Sequence, residues 1–227
     1  MMMAGFKLGR SARRLGLGLG LIAALAGASP VEVSAPVQDP SALSPEAVGI
    51  GQVVTAAELA AWGRRRGDPG ALILAARMLG EVPVRVGEGE APILTPDRLL
   101  DEAASLSLGQ PAWLDAIDRV REHGSRGVDS SSFGEGPIFT VKEVRARAVY
   151  GFNVQARGGE VLRIAAIGDG DTNIDLSMRD ASGAVICRDG SGDHYPVCTV
   201  VPPRAGTVRI DIINRGDVWT KVQILSN

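Results

Sequence analysis

Apolar residues recur along this chain with two different periods, and the change of period divides it. Between residues 55 and 124 they lie three and four apart, as in Leu59 and Trp62, then Trp113, Ile117 and Val120. That spacing collects them on one face of a helix, so both tryptophans are expected in a core. Beyond residue 140 they alternate with polar residues, as in Ile174, Leu176 and Met178 against Asp175, Ser177 and Arg179. A period of two is that of a strand with one face buried. Start signals sharpen the helices. Thr55-Ala-Ala-Glu58 has the form of a capping box, and Asp68-Pro69 and Thr95-Pro96 each set a capping oxygen before a proline at the first helical position. Helices are expected over 56–66, 69–80, 96–108 and 111–123, the last stopped by Gly124. Strands are expected over 144–154, 161–166, 174–178, 184–187, 197–201, 208–213 and 218–225, with Gly158-Gly159, Ser182-Gly183, Gly190 to Gly192 and Arg215-Gly216 supplying the turns.

The fold class expected from these periods is α+β in two separate domains. An all-α domain of helical hairpins occupies 51–124, and an antiparallel β-sandwich occupies 140–227. Between them, 125–139 holds the run Ser-Arg-Gly-Val-Asp-Ser-Ser-Ser-Phe-Gly-Glu-Gly, which has the composition of a linker. The two helix pairs are similar to each other at an offset of 42: Gly67-Asp68-Pro69 matches Gly109-Gln110-Pro111, and Leu72 matches Leu114. In this the helical part resembles a small solenoid of the tetratricopeptide or Sel1-like type, although two repeats are fewer than such folds usually need. The resemblance implies a groove for a protein or peptide partner.

The N-terminus changes how the remainder is read. Residues 1–28 carry Lys7, Arg10, Arg13 and Arg14 and no acid, then an apolar run from Leu15 to Ala26, then Ala26-Gly27-Ala28. A basic region, an apolar core and a small-residue cleavage site form a secretory signal peptide. Its apolar run is too short for a comfortable bilayer span, so no stable membrane anchor is expected, and the protein is expected in the periplasm or the medium. Residues 29–50, with Pro30, Pro36, Pro40 and Pro45, are expected to be a disordered spacer. Without the four basic residues of the leader, 20 basic residues face 26 acidic ones, a net charge of −6. That balance argues against nucleic acid as a partner. Arg64-Arg65-Arg66, the one basic cluster of the mature part, falls at a helix C-terminus, where cations are favoured. Cys187 and Cys198 are the only cysteines, and in an oxidising compartment they should pair.

The densest chemistry lies at Gly168-Asp-Gly-Asp-Thr-Asn-Ile-Asp-Leu176, where Asp169, Asp171 and Asn173 stand two residues apart and Asp175 follows. Calcium takes six to eight oxygens, and short acidic side chains spaced by Gly can fold around one ion. Counted from Asp169, Asp180 falls at position twelve of a helix-loop-helix calcium site, but Ile174 stands where that loop needs Gly, and the strand period excludes that geometry. Asp169, Asp171, Asn173, Asp175 and Asp180 are therefore candidate ligands of a calcium ion in another geometry. A solvated acidic turn before a strand is the alternative.

The order of Gly158-Gly159-Glu160, the Gly168–Leu176 run, Asp180-Ala-Ser-Gly183, Pro202, Gly206-Thr207 and Ile213-Asn214-Arg215-Gly216 resembles the bacterial pre-peptidase C-terminal domain over about 140–227. The resemblance implies a jelly-roll-like sandwich and, since several members bind calcium, supports Asp171 and Asp175 as ligands. It departs at Asn173, where Asp is common, and at Ser177 and Met178, where Tyr is frequent, which weakens any aromatic platform for sugars. That domain usually accompanies a protease, and no protease signature occurs here: there is no His-Glu-x-x-His and no Gly-x-Ser-x-Gly. Asp193 and His194 are adjacent, so on a strand they would point to opposite faces rather than form a dyad. The expected function is that of an exported, non-catalytic binding or accessory protein. The alternative is a polysaccharide-binding or secreted-hydrolase-associated role, which a content of only 4% aromatic residues disfavours.

Overall fold

A computed structural model describes residues 42–89, 91–124 and 131–227. The leader expected over 1–28 lies outside them. Every helix in the described residues begins on a proline, whose fixed φ suits the first turn and whose missing N–H costs nothing there. The four are α1 (Pro45–Arg66), α2 (Pro69–Gly80), α3 (Pro96–Leu106) and α4 (Pro111–Gly124). Ser44 caps α1 by accepting from the Ala47 N–H at 3.2 Å, Asp68 caps α2 through Gly70 N at 2.8 Å, and Thr95 caps α3 through Arg98 N at 3.3 Å. Gly67, at φ 62°, ends α1 in the left-handed conformation that Gly adopts without strain.

The N-terminal boundary corrects two expectations. Residues 45–50 are helix rather than spacer, and Thr55 is no cap: it sits inside α1 with its hydroxyl donating back to the Gly51 carbonyl at 3.0 Å. The helix was hard to see because α1 has no single apolar stripe. Its small residues, among them Ala47, Gly49, Ala56, Ala57, Ala60 and Gly63, are buried on several sides at once. A Cβ on Gly63 would stand 2.9 Å from that of Ala71, so α1 and α2 pack with almost no gap. Trp62 is also corrected. It is 42% exposed, outside the core, with the Arg66 guanidinium over its ring at 5.8 Å.

Nine strands occur among the described residues: β1 (Arg85–Gly89), β2 (Ile138–Val144), β3 (Val149–Ala156), β4 (Leu162–Gly168), β5 (Ile174–Arg179), β6 (Val185–Asp189), β7 (Val197–Val200), β8 (Gly206–Asn214) and β9 (Thr220–Ser226). They make a five-stranded sheet of order β1-β2-β9-β4-β7 and a four-stranded sheet of order β3-β8-β5-β6. All pairings are antiparallel except β1 with β2. The single strand expected over 144–154 is two, because a turn at Arg145–Ala148 carries the chain from one sheet to the other, with Arg147 at φ 54°. The fold class is thus mixed α+β, with the helices N-terminal and two antiparallel-rich sheets C-terminal.

Residue parity shows how the layers meet. In β4, Ile164 and Ala166 join a core with Leu176, Met178, Ile210 and Ile212 of the other sheet. Their alternate neighbours Ala165 and Ile167 join Ile50, Val53, Leu72 and Leu99 of the helices. A strand covered on both faces reads as a continuous apolar run, which is what Ile164-Ala165-Ala166-Ile167 is. Polar ties reinforce the helical side. Arg163 of β4 reaches the Ala47 carbonyl of α1 at 3.2 Å, across a surface that Gly51 leaves open. Gln223 of β9 accepts from the Ile93 and Leu94 N–H groups at 3.2 and 3.3 Å. The helices therefore share one hydrophobic core with the five-stranded sheet, which shares a second with the four-stranded sheet, and the described residues belong to one compact unit. The segment read as a linker contributes to it: Phe133 and Phe139 are both buried in that core.

Candidate functional site

The five candidate calcium ligands go to three different places. Asp169 closes the loop after β4 against β9, accepting from the Thr220 hydroxyl at 2.6 Å and from Lys221 N at 2.9 Å. Asp171 is exposed in the same loop, and the buried Oδ1 of Asn173 meets no hydrogen-bond donor. Asp175 leaves the loop altogether. On the outer face of β5, 4% exposed, it accepts from Arg215 Nη2 at 2.6 Å and from Arg188 Nη2 at 3.3 Å. Asp180 lies beyond the far end of β5, about 16 Å further at the rise of an extended strand. There it accepts from the Ser182 hydroxyl at 2.6 Å and from Ser182 and Ala184 N–H groups, and the Ser182 hydroxyl bond holds its carboxyl below the usual range.

A calcium ion needs these oxygens in one sphere. The set of five does not fit that requirement, because two guanidiniums occupy Asp175 and a turn occupies Asp180. Among the described residues no group of three or more His, Cys, Asp or Glu side chains is placed to hold a metal.

Cys187 and Cys198 do pair, with an S–S distance of 2.08 Å, and tie β6 at the edge of one sheet to β7 at the edge of the other. The loop between them is laced by Asp189, which accepts from Val197 N at 2.8 Å, and by Asp193, which accepts from Tyr195 N at 2.9 Å. His194 Nδ1 lies 3.2 Å from the Thr172 carbonyl, with its ring edge-on to Tyr195. Burial pushes the Tyr195 hydroxyl's pKa up.

A concavity opens in the helical layer. A groove of about 1030 Å³ runs between α2, α3 and α4, floored by Ile73, Leu74, Leu100, Trp113 and Val120. Gly70 admits the Trp113 ring, which a Cβ there would meet at 3.2 Å. Leu74 stays half exposed there. On the rim, Arg77 pairs with Glu81 at 3.4 Å and Arg121 with Asp101 at 2.6 Å, while Arg119 and His123 also line it. The matching positions of the two helix pairs are unequal here. Leu72 is buried, but Leu114 is 37% exposed, because α4 is the outermost helix.

A second cleft of about 230 Å³ opens where β3, at the edge of its sheet, leaves the core uncovered beside β2 and β9. Tyr150 and Phe152 line it, ring centroids 5.7 Å apart, with Lys142 Nζ 5.9 Å from the Tyr150 ring centroid. The signal for it was two aromatic rings at i and i+2 of one strand, both on the core side and therefore easily mistaken for filling.

No protein-family model matches the chain, and no characterised protein matches it. Among solved structures it is similar to a de novo designed double-stranded β-helix, at 17% identity and a TM-score of 0.26 over 39% of this chain and 97% of that one. It is also similar to PliG, a periplasmic lysozyme inhibitor of g-type lysozyme from Aeromonas hydrophila, at 12% identity and a TM-score of 0.30 over 40% of this chain and 86% of that one. Overlaps this partial do not extend to function. No helix among the described residues is long and apolar enough to cross a membrane.

Proposed function

We propose that the chain is an exported, non-catalytic binding protein that holds a segment of a protein partner in its helical groove. The observation that carries this reading is the open apolar floor of Ile73, Leu74, Leu100, Trp113 and Val120 between three helices. A groove of this kind takes the apolar side of an amphipathic segment, anchored by side chains at helical spacing. Arg119 has no ion pair among the described residues and stands with His123 on the rim, so an acidic flank suits the occupant. In this reading the C-terminal part is a jelly-roll-like sandwich of the pre-peptidase C-terminal type, acting as a rigid support. The disulfide and the basic-apolar leader support export.

Peptide selection from a displayed library, with Leu74→Glu and Val120→Glu as counter-targets, tests this. Apolar peptides with acidic flanks should be enriched and should lose at least about tenfold in affinity for either variant, the loss expected when a charge enters an apolar contact. Selected peptides that bind wild type and both variants alike would place recognition elsewhere.

The Tyr150–Phe152 cleft favours a second reading, in which the sandwich edge binds a polysaccharide by stacking. Glycan binding by the full chain that disappears in Tyr150→Ala would support that reading, and peptide selection blocked only by the groove variants would support the first.

A further inference from the structure

The outer face of the four-stranded sheet carries an unusual charge arrangement. Arg179 of β5 and Arg209 of β8 are direct cross-strand partners, a placement that repels. Asp211 holds both, at 3.6 Å from Arg179 and 2.8 Å from Arg209. Four residues back along β5 from Arg179, Asp175 holds Arg188 of β6 and Arg215 of the turn after β8. Four guanidiniums thus share two carboxylates, an excess of two positive charges on a chain that is acidic overall. The arginine side chains remain 44–58% exposed, whereas Asp175 is buried beneath them. Gly151 of β3 contributes by omission, since a Cβ there would overlap the Arg209 guanidinium.

A second observation is independent of charge. Ser177 faces the same side, between Asp211 on one strand and Arg188 on the other, and is only 3% exposed. Its Oγ has no hydrogen-bond partner. A buried hydroxyl without an acceptor is costly, and it lies at the centre of the arginine cluster.

We propose that this face docks an acidic segment of a protein partner, whose carboxylates take the two unmatched guanidinium forks and accept from the Ser177 hydroxyl. Guanidinium forks match carboxylates in bidentate geometry. The embedded Asp175 and Asp211 disfavour a polyanion with a charge on every unit, because some of its charges would meet those carboxylates. Ile186, exposed on β6 beside Arg188, adds the apolar contact that a polypeptide can use. Arginine next to apolar surface is typical of protein interfaces. This face lies on the sheet remote from the helices, and the inference does not depend on the helical groove.

The test is anisotropy of a fluorescein-labelled poly-glutamate peptide titrated with the full chain. Affinity should fall about tenfold in Arg179→Gln/Arg188→Gln, and fall with added salt. Ser177→Ala should weaken binding about threefold while its melting temperature stays level or rises, since it loses an unpaired buried group. Arg85→Gln, on β1 at the edge of the other sheet, should leave this binding unchanged. Equal affinity in the double arginine variant would overturn the proposal, as would stronger competition by polygalacturonate or single-stranded DNA than by unlabelled poly-glutamate. Concentration-dependent dimerisation that the double variant abolishes would overturn it in favour of a second copy of this chain.

Discussion

Replacing Asn214 by Ala tests how the acidic loop is fastened to the fold. The side chain is 1% exposed and makes four hydrogen bonds. Its Oδ1 accepts from the Thr172 hydroxyl at 3.0 Å and from Gly216 N at 2.9 Å. Its Nδ2 donates to the carbonyls of Val144 at 3.2 Å and Val218 at 2.7 Å. One amide therefore joins the loop before β5, the end of β2 and the turn into β9. Alanine would leave a hydroxyl, an N–H and two carbonyls without partners in a space too tight to relax, since even a Cβ at Gly216 would overlap Thr172. Each lost bond is worth about 1 kcal/mol net, and some of the stranded groups recover water, so a loss of about 3 kcal/mol is expected. For a unit of this size that lowers Tm by about 6–12 °C. Far-UV circular dichroism gives Tm, and urea titration at unchanged slope gives the free energy. Asn214→Asp, isosteric but presenting oxygen to two carbonyls, should lose at least as much. A loss below about 1 kcal/mol in Asn214→Ala would refute the idea that these four bonds hold the loop.

Four further outcomes are expected. Cys187→Ser/Cys198→Ser should lose about 2.8 kcal/mol on the chain-entropy account of a bridge spanning 11 residues, and a reductant should lower the Tm of wild type only. The Asp180 carboxyl is held low, so its contribution is present above its unfolded pKa and disappears as pH falls through the lower folded value; Asp180→Asn should flatten the acid limb of Tm against pH, and an unaltered limb would count against it. Calcium or chelator should leave Tm unchanged, because Asp169, Asp175 and Asp180 already hold protein donors; a rise in calcium that Asp171→Ala abolishes would restore an ion site in the loop. Thermal unfolding of helices and sheets should be a single transition, since they share a core, and two separated transitions by calorimetry would restore an independent helical domain.

What could be read along the chain was whatever local chemistry alone decides. The proline helix starts at 69, 96 and 111 carry their signals within two residues, and most strands of the two sheets alternate visibly. Elements whose character depends on distant neighbours were not legible. The first turns of α1 look like a spacer because their glycines are placed by distant neighbours, Gly49 by Val82, Phe133 and Pro137 and Gly51 by Arg163 of β4. β1 looks like a Gly-rich loop, yet Gly87 is required beside β2, where a Cβ would stand 2.7 Å from Thr140 Oγ1. The joining of helices to sheet was signalled by the unbroken apolar run of β4, whose second covered face needs a layer that a two-sheet sandwich alone lacks.

The same limit inverts the chemistry of Asp175. Taken along the chain it is the fourth oxygen-bearing residue of an acidic run, and a cluster of carboxylates selects a cation. Taken across strands, its neighbours are arginines 13 and 40 residues further on, and the nearest comparable carboxylate on that face, Asp211, is itself shared by two more. Once those guanidiniums are counted the local charge changes sign, and the ligand class the surface favours changes with it. Spacing in sequence is therefore a guide to which side chains meet only where a loop folds on itself, as where Asp171 N donates to Asp169 at 3.4 Å. On a sheet, the residues that decide it come from the strands on either side.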